Sequence, residues 1–219
     1  MEITEDRIYA GISLYSRKLL YFYDWLLLGA CCRLLWNCPS RHMLELYNEY
    51  ISANHLDIGV GSGYFMDRCR FPSSRPRLAL MDLSHHSLRF AGKRLSRYSP
   101  EIYNRNVLDR FHLDVPPFDS VGLMNVLHCL PGNMETKTVV FRNISEVLNP
   151  GGVLFGSTIL YRGIRCNWMV TRTLEIVNYK RFMTNLEDTV EDLKEGLERH
   201  FAESSIEIIG CEALFHARK

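Results

Sequence analysis

The 219-residue chain has no apolar run long enough to cross a bilayer. Its most apolar stretch, residues 25–32, is closed off by Asp24 and Arg33 and falls far short of the roughly 20 residues a spanning helix needs, so no membrane partner is expected. A secretory signal is also missing, because Glu2, Glu5 and Asp6 stand where a positive and then apolar segment would be required; the expected location is the cytoplasm. Positive charge is not in excess. With 26 Lys and Arg against 25 Asp and Glu, the field that gives nucleic-acid-binding proteins their affinity is absent, and no nucleic-acid partner is expected. The seven cysteines (Cys31, Cys32, Cys38, Cys69, Cys129, Cys166, Cys211) contain neither a C-x-x-C pair nor a zinc-ligand spacing. An odd number cannot close a disulfide set, so they read as reduced and packed, with no metal site. Repeats, low-complexity segments and charged tails are likewise lacking.

The chain is 47% hydrophobic, enough to bury one substantial core in a single domain. Leu20, Tyr23, Leu27, Cys31 and Leu34 share a helical stripe, so residues 1–50 read as a helical cover. Short apolar runs follow at 53–58, 77–82, 118–124 and 153–159, with a weaker one at 101–106. Helical patterns such as Leu88, Ala91 and Leu95, capped by Ser84, and Val140, Ile144 and Val147 lie between them. This alternation predicts a parallel sheet covered by helices on both faces over residues 51–160. An insert at 161–185 precedes a last stripe, Leu186, Val190, Leu193, Leu197 and Phe201, entered through Thr184-x-x-Glu187 as a capping box. The final extended runs, 205–209 and 211–218, are separated only by Gly210. No crossover helix fits there, so an antiparallel pair or a bend is expected.

The chemistry concentrates at Asp57-x-Gly59-x-Gly61-x-Gly63, where an apolar strand runs into three alternating glycines. Glycine allows a sharp turn and lets a ligand approach where a Cβ would block it. A dinucleotide fingerprint would need its third glycine at Tyr64 or at Met66, and no Lys followed by Ser or Thr makes a phosphate loop. An acid ahead of the glycines suits a cation better than a pyrophosphate. Twenty-five residues on, a second strand ends in Asp82, whose carboxylate can accept hydrogen bonds from a ribose.

Together these residues resemble motifs I and II of class I S-adenosylmethionine-dependent methyltransferases, in particular type 12-like stand-alone small-molecule enzymes of bacteria and fungi. Residues 118–130 resemble their motif IV, and Pro150-Gly151-Gly152 the turn entering their fifth strand. The resemblance covers roughly residues 50 to 160. It implies a Rossmann-like, doubly wound seven-stranded sheet, mostly parallel with an antiparallel C-terminal strand, and S-adenosylmethionine as cofactor with S-adenosylhomocysteine as product. The cofactor contacts it implies are Tyr23, Asp57, Gly59, Gly61, Gly63, Asp82, Leu83 against the adenine, Asn106 and Val107 after the third strand, and Met124 and Asn125 after the fourth. His128, by motif position, is the candidate general base.

The motifs of adenine-N6 and cytosine-C5 enzymes are absent, and a small-molecule substrate of specialised metabolism is the expectation. The aromatic content of the cover and insert makes Trp25, Trp36, Trp168 and Tyr179 candidate substrate contacts, with the two segments acting as a lid. Two other readings stay open: a cofactor-binding cyclase or rearrangement enzyme that keeps its methyl, and a non-catalytic methyltransferase-like partner subunit. Composition leaves a homodimer open as well.

Overall fold

The computed structural model describes residues 24–111, 113–164, 166 and 168–219. A π-helical segment, Asp24–Leu35, and helix α1 (Ser40–Tyr50) lead into β1 (Asn54–Ile58). Then come α2 (Tyr64–Arg68), β2 (Arg77–Asp82), α3 (His85–Arg94), β3 (Glu101–Asn104), β4 (Phe118–Met124), α4 (Met134–Lys137) and α5 (Val139–Val147). The chain ends with β5 (Leu148–Ile159), α6 (Trp168–Tyr179), α7 (Val190–Glu198), β6 (Glu203–Ile209) and β7 (Glu212–Arg218).

The seven strands lie in the order β3-β2-β1-β4-β5-β7-β6. Strands β1 to β5 pair in parallel, and β7 enters antiparallel between β5 and β6. This is the expected Rossmann-like sheet with one reversed strand near its C-terminal edge. Only Gly210 and Cys211 separate the last two strands, too short a link for a crossover, and the strands form an antiparallel hairpin. Both faces of the sheet are covered. Leu56, Ala79, Val121, Leu154 and Phe215 pack beneath Phe141, Ile144 and Leu193 on one side. Leu78, Leu80 and Phe155 pack against Met43, Tyr47 and Leu88 on the other.

Local expectations were met unevenly. Ser84 caps α3, its side chain accepting from the Ser87 N–H. The final helix, however, is capped by Thr189, whose hydroxyl accepts from Asp192 N–H at 3.0 Å, five residues later than Thr184-x-x-Glu187 suggests. Thr184 instead donates its hydroxyl to Leu130 O, and the fully buried Lys137 binds Asp188 at 2.5 Å and Thr184 O at 2.6 Å. These tertiary contacts hold the stretch before α7 as a loop. Between residues 24 and 36 the described buried side chains are Leu28, Cys32 and Trp36, while Leu34 is exposed. The wider turn of a π-helix carries its inner face at a four-residue spacing rather than along the α-helical stripe through Cys31 and Leu34. Leu20 and Tyr23 lie outside the described residues. Among those residues no helix is long and apolar enough to cross a membrane.

Candidate active site

Successive side chains of a strand point to opposite faces. β1 therefore sends Leu56 and Ile58 into the α5 side of the core, while His55 and Asp57 face α1, where they meet Tyr47. In the parallel register with β4, His55 lies opposite Ser120 and Asp57 opposite Gly122. The bare Gly122 makes the room that Asp57 uses: a Cβ there would stand 2.6 Å from Asp57 Oδ1 and 3.3 Å from the Tyr47 hydroxyl. Tyr47 donates to Asp57 Oδ1 at 2.8 Å.

Burial pushes the Asp57 carboxyl up to about 8, with the Tyr47 hydrogen bond acting in the opposite sense. His55 Nε2 is 4.0 Å away, but burial pushes that imidazole down to about 3, so it is neutral. Asp57 is thus a buried acid with no cationic partner among the described residues. Such a group favours a ligand that brings a positive charge.

The glycine loop passes beside this acid. Gly59, Gly61 and Gly63 all adopt left-handed φ of 72°, 51° and 72°, which side-chain-bearing residues rarely take up. Gly59 is also hemmed in, since a Cβ would fall 2.3 Å from Val126 Cγ2. At the end of β2, Asp82 Oδ1 accepts from Ser84 N–H at 2.7 Å. Burial raises this carboxyl to about 6 against the lowering effect of Ser84, Gly61, Leu83 and Val60 N–H groups. The β3 side chain that reaches this corner is Asn104, donating to Asp82 O and Leu83 O at 2.9 Å each. Asn106, the residue read from the sequence, lies beyond the strand and caps Leu108 N–H at 3.1 Å, and Val107 is buried in the core. The strand ends two residues earlier than its apolar pattern suggests, which moves the reaching amide from position 106 to 104.

Asp57, Gly59, Gly61, Met124 and Asn125 line one cavity of about 30 Å³ together with Leu28 and Tyr47. Leu28 is held there by a tie between the cover and the loop. Ser62 donates its hydroxyl to Asp24 at 2.5 Å, and Arg94 reaches both Ser62 Oγ at 3.2 Å and Asp24 Oδ2 at 2.7 Å. A larger groove of about 720 Å³ lies at the outer edge of α3 and β3, lined by residues such as Leu88, Arg89 and Ile102. It shares no residue with the glycine loop. The small cavity is the better candidate because the unpaired acid and the bare backbone meet there.

The remaining sequence candidates are dispersed. His128 is buried, its Nδ1 accepting from Ile159 N–H at 3.1 Å, and burial pushes it down to about 3 with Lys137 adding to the effect. An imidazole whose acceptor is spent on backbone and which does not line the cavity is not placed to take a proton from a substrate, which corrects the motif-based reading. Trp36 is buried in the core, its carbonyl accepting from Cys211 N–H at 2.9 Å. Trp168 and Tyr179 are 78% and 89% exposed on α6. Tyr179 borders a groove of about 570 Å³ with Asn133, Arg181 and Met183. Tyr23 and the Trp25 side chain lie outside the described residues. Sequence reasoning missed Leu28, Tyr47, Ser62 and Arg94. Only Ser62, inside the glycine motif, and Tyr47, four residues after Met43 on one helix face, carried any local signal.

Residues 56–154 match the family model described as a methyltransferase domain. The chain is 31% identical over 215 residues to the demethylluteothin O-methyltransferase of Streptomyces thioluteus, covering 98% of this chain and 94% of that one. It is 34% identical over 211 residues to the physcion biosynthesis cluster O-methyltransferase of Aspergillus chevalieri, covering 95% of each. Its fold resembles the N-methyltransferase NodS from Bradyrhizobium japonicum WM9, solved with S-adenosyl-L-homocysteine, with a TM-score of 0.57 at 19% identity over 82% of this chain and 86% of that one. The chain belongs to the class I S-adenosylmethionine-dependent methyltransferases.

Proposed function

We propose that the chain methylates a small organic acceptor of specialised metabolism, and that the cavity at the glycine loop receives the methionyl end of the cofactor. The observation that carries the assignment is the buried Asp57, without a cationic partner among the described residues, beside three left-handed glycines. Asp82, one strand over, is the ribose-binding acid, with Leu83 beside it and Asn104 bracing both carbonyls. When bound, the cofactor supplies an electrophilic methyl on a cationic sulfur. The chain's part is to orient the two reactants and exclude water. Both O-methyltransferase relatives are named for methyl transfer, which favours that reaction over cyclisation and over a non-catalytic role, and makes a hydroxyl the favoured acceptor. Asp82→Ala is expected to weaken S-adenosylhomocysteine binding by roughly 1–3 kcal/mol, the scale of hydrogen bonds to an ionised group. Calorimetric titration checks this, and unchanged affinity would move the ribose contact elsewhere.

The cover and the insert act as the lid in this reading. A space of about 30 Å³ lined in part by Leu28 holds about one water, so entry of the methionyl end requires the Asp24–Leu35 segment to lift. The Asp24–Ser62–Arg94 tie is the latch that closes it again. The groove beside Tyr179, bounded by the chain that follows β4, is the acceptor's approach. Arg94→Ala is expected to speed S-adenosylhomocysteine release about tenfold or more. Trp168→Ala is expected to lower turnover about tenfold with cofactor affinity unchanged, since its exposed ring sits on the insert and does not line the cofactor cavity. Stopped-flow release and steady-state kinetics separate the two, and parallel effects in both variants would defeat the lid.

A further inference from the structure

Glu212 takes no part in the assignments above. It opens β7 opposite Ile159, the last residue of β5, which puts its side chain at the carboxyl edge of the sheet beside the end of β4. The residue is fully buried, and among the described residues no ion pair reaches it. The titratable groups facing it are Cys32 on the π-helical segment, Cys38 ahead of α1 and Cys211 in the adjoining turn. Burial raises all three thiols, so none is charged at neutral pH. Its remaining polar neighbours are Ser157 on β5 and Asn125 after β4.

The Asn125 backbone is fixed, with φ at 57° and its N–H donating to Ser157 O at 3.0 Å. Its amide can meet the neighbours in two ways. With Nδ2 inward it donates to Ser157 Oγ at 2.9 Å and stands 3.2 Å from both Glu212 oxygens, which suits an ionised carboxylate. With Oδ1 inward it accepts from the Ser157 hydroxyl at 2.9 Å and can accept from a protonated Glu212, while Nδ2 comes 3.5 Å from Met43 Sδ. An amide orientation is set by such a network of donors and acceptors. Asn125 also lines the cavity with Asp57 and Gly59, so the amide atom turned away from Glu212 is the one it can offer a ligand.

We propose that Glu212 is a positioning residue that selects this atom: ionised, it only accepts and so holds Nδ2 inward, leaving an acceptor for the cofactor's ammonium, whereas protonated it can meet either amide atom and the hold is lost. The inference rests on the reading that the cavity receives the methionyl end. Burial raises the Glu212 carboxyl to about 8, which brings the exchange within reach of an ordinary binding assay.

The test is the dissociation constant of S-adenosylhomocysteine, measured by calorimetry at pH 6.0 and 8.5. Glu212→Gln preserves shape, and its amide, like the protonated acid, offers both a donor and an acceptor and so no longer fixes the Asn125 orientation. Its affinity should fall about tenfold at pH 8.5, the size of one charge-assisted hydrogen bond, and less than about twofold at pH 6.0. Asn125→Gly keeps the left-handed backbone and removes the amide; in that background Glu212→Gln should change nothing. An equal loss at both pH values, or a loss that persists without the amide, overturns the inference. Should Glu212→Gln not fold, Asn125→Gly alone decides: its pH dependence must be shallower than that of the parent, and an unchanged profile overturns the proposal. Asp82→Ala is the control for the underlying reading. If Asp82→Ala binds normally the site assignment fails, whereas if it binds poorly and Glu212→Gln behaves like the parent, only the present inference fails.

Discussion

Gly122→Ala is expected to reduce S-adenosylhomocysteine affinity by about two orders of magnitude and to cost the fold roughly 1–3 kcal/mol, the range for overpacking a close-packed interior. The added Cβ would stand 2.6 Å from Asp57 Oδ1, 3.3 Å from His55 Cε1 and 3.3 Å from the Tyr47 hydroxyl. None of the three can retreat cheaply. Asp57 and Tyr47 are bonded to each other, Tyr47 is stacked on Phe65 and edge-on to Phe155, and His55 is engaged with Ser120 Oγ at 2.8 Å. The carboxylate, with space only toward the cavity it lines, is driven off the Tyr47 hydroxyl and into the volume a ligand needs. Thermal unfolding and calorimetric titration measure the two effects separately. Normal affinity in a folded variant would show that the ligand's charge is met elsewhere than at Asp57.

The ligand-free chain is expected to lose stability as pH rises from about 6.5 toward 8, while the stabilisation gained from S-adenosylhomocysteine grows over the same range. Below that window His55 and His128, pushed down to about 3 by burial, gain stability with pH and offset the acids. Burial raises Asp57 from 3.8 to about 8, Glu212 from 4.5 to about 8, and Asp82 from 3.8 to about 6. A group with a raised folded-state pKa supports the fold fully below its unfolded value, and that support is lost as pH climbs through the window up to the folded value. The contribution of Asp82 is therefore exhausted near pH 6, and those of Asp57 and Glu212 near pH 8. Each group contributes a slope of up to about 1.4 kcal/mol per pH unit. Ligand binding carries the opposite sign: an arriving ammonium favours ionised Asp57, so protons are released on binding below pH 8 and affinity rises with pH. Unfolding scans with and without S-adenosylhomocysteine from pH 6.5 to 8.5, with calorimetry in buffers of differing ionisation heat, check both halves. Proton uptake on binding, or a melting temperature that rises with pH in the free chain, contradicts the assignment.

Much of this protein is written in local order. The period-two apolar runs, the helical stripes between them and the one-residue gap at Gly210 lead to β3-β2-β1-β4-β5-β7-β6 without any knowledge of contacts, because side-chain alternation and the reach of a chain leave few ways to bury those residues. Asp57, the three glycines and Asp82 were legible for the same reason: an acid at a strand end and a backbone that must turn left-handed are properties of short segments. Element ends were less legible. Asn104 replaces Asn106, and Thr189 replaces Thr184, since a boundary depends on which long-range hydrogen bonds a residue makes and not on its neighbours' hydropathy.

Tertiary structure alone decided the electrostatics. Nothing near Asp57 in the sequence says that Gly122 makes its room or that Tyr47 bonds it, and nothing near Ser62 points to Asp24 and Arg94. Glu212, 87 positions beyond Asn125, meets that amide only because β7 inserts beside β5. His128 looked reactive by motif and proved spent, its ring nitrogen committed to Ile159 N–H. Hydropathy acts between neighbours along the chain, so the pattern carries the fold. Charge and hydrogen bonding act across a buried space whose walls come from distant segments, and the packed chain alone determines which acids are buried without a cation beside them among the described residues.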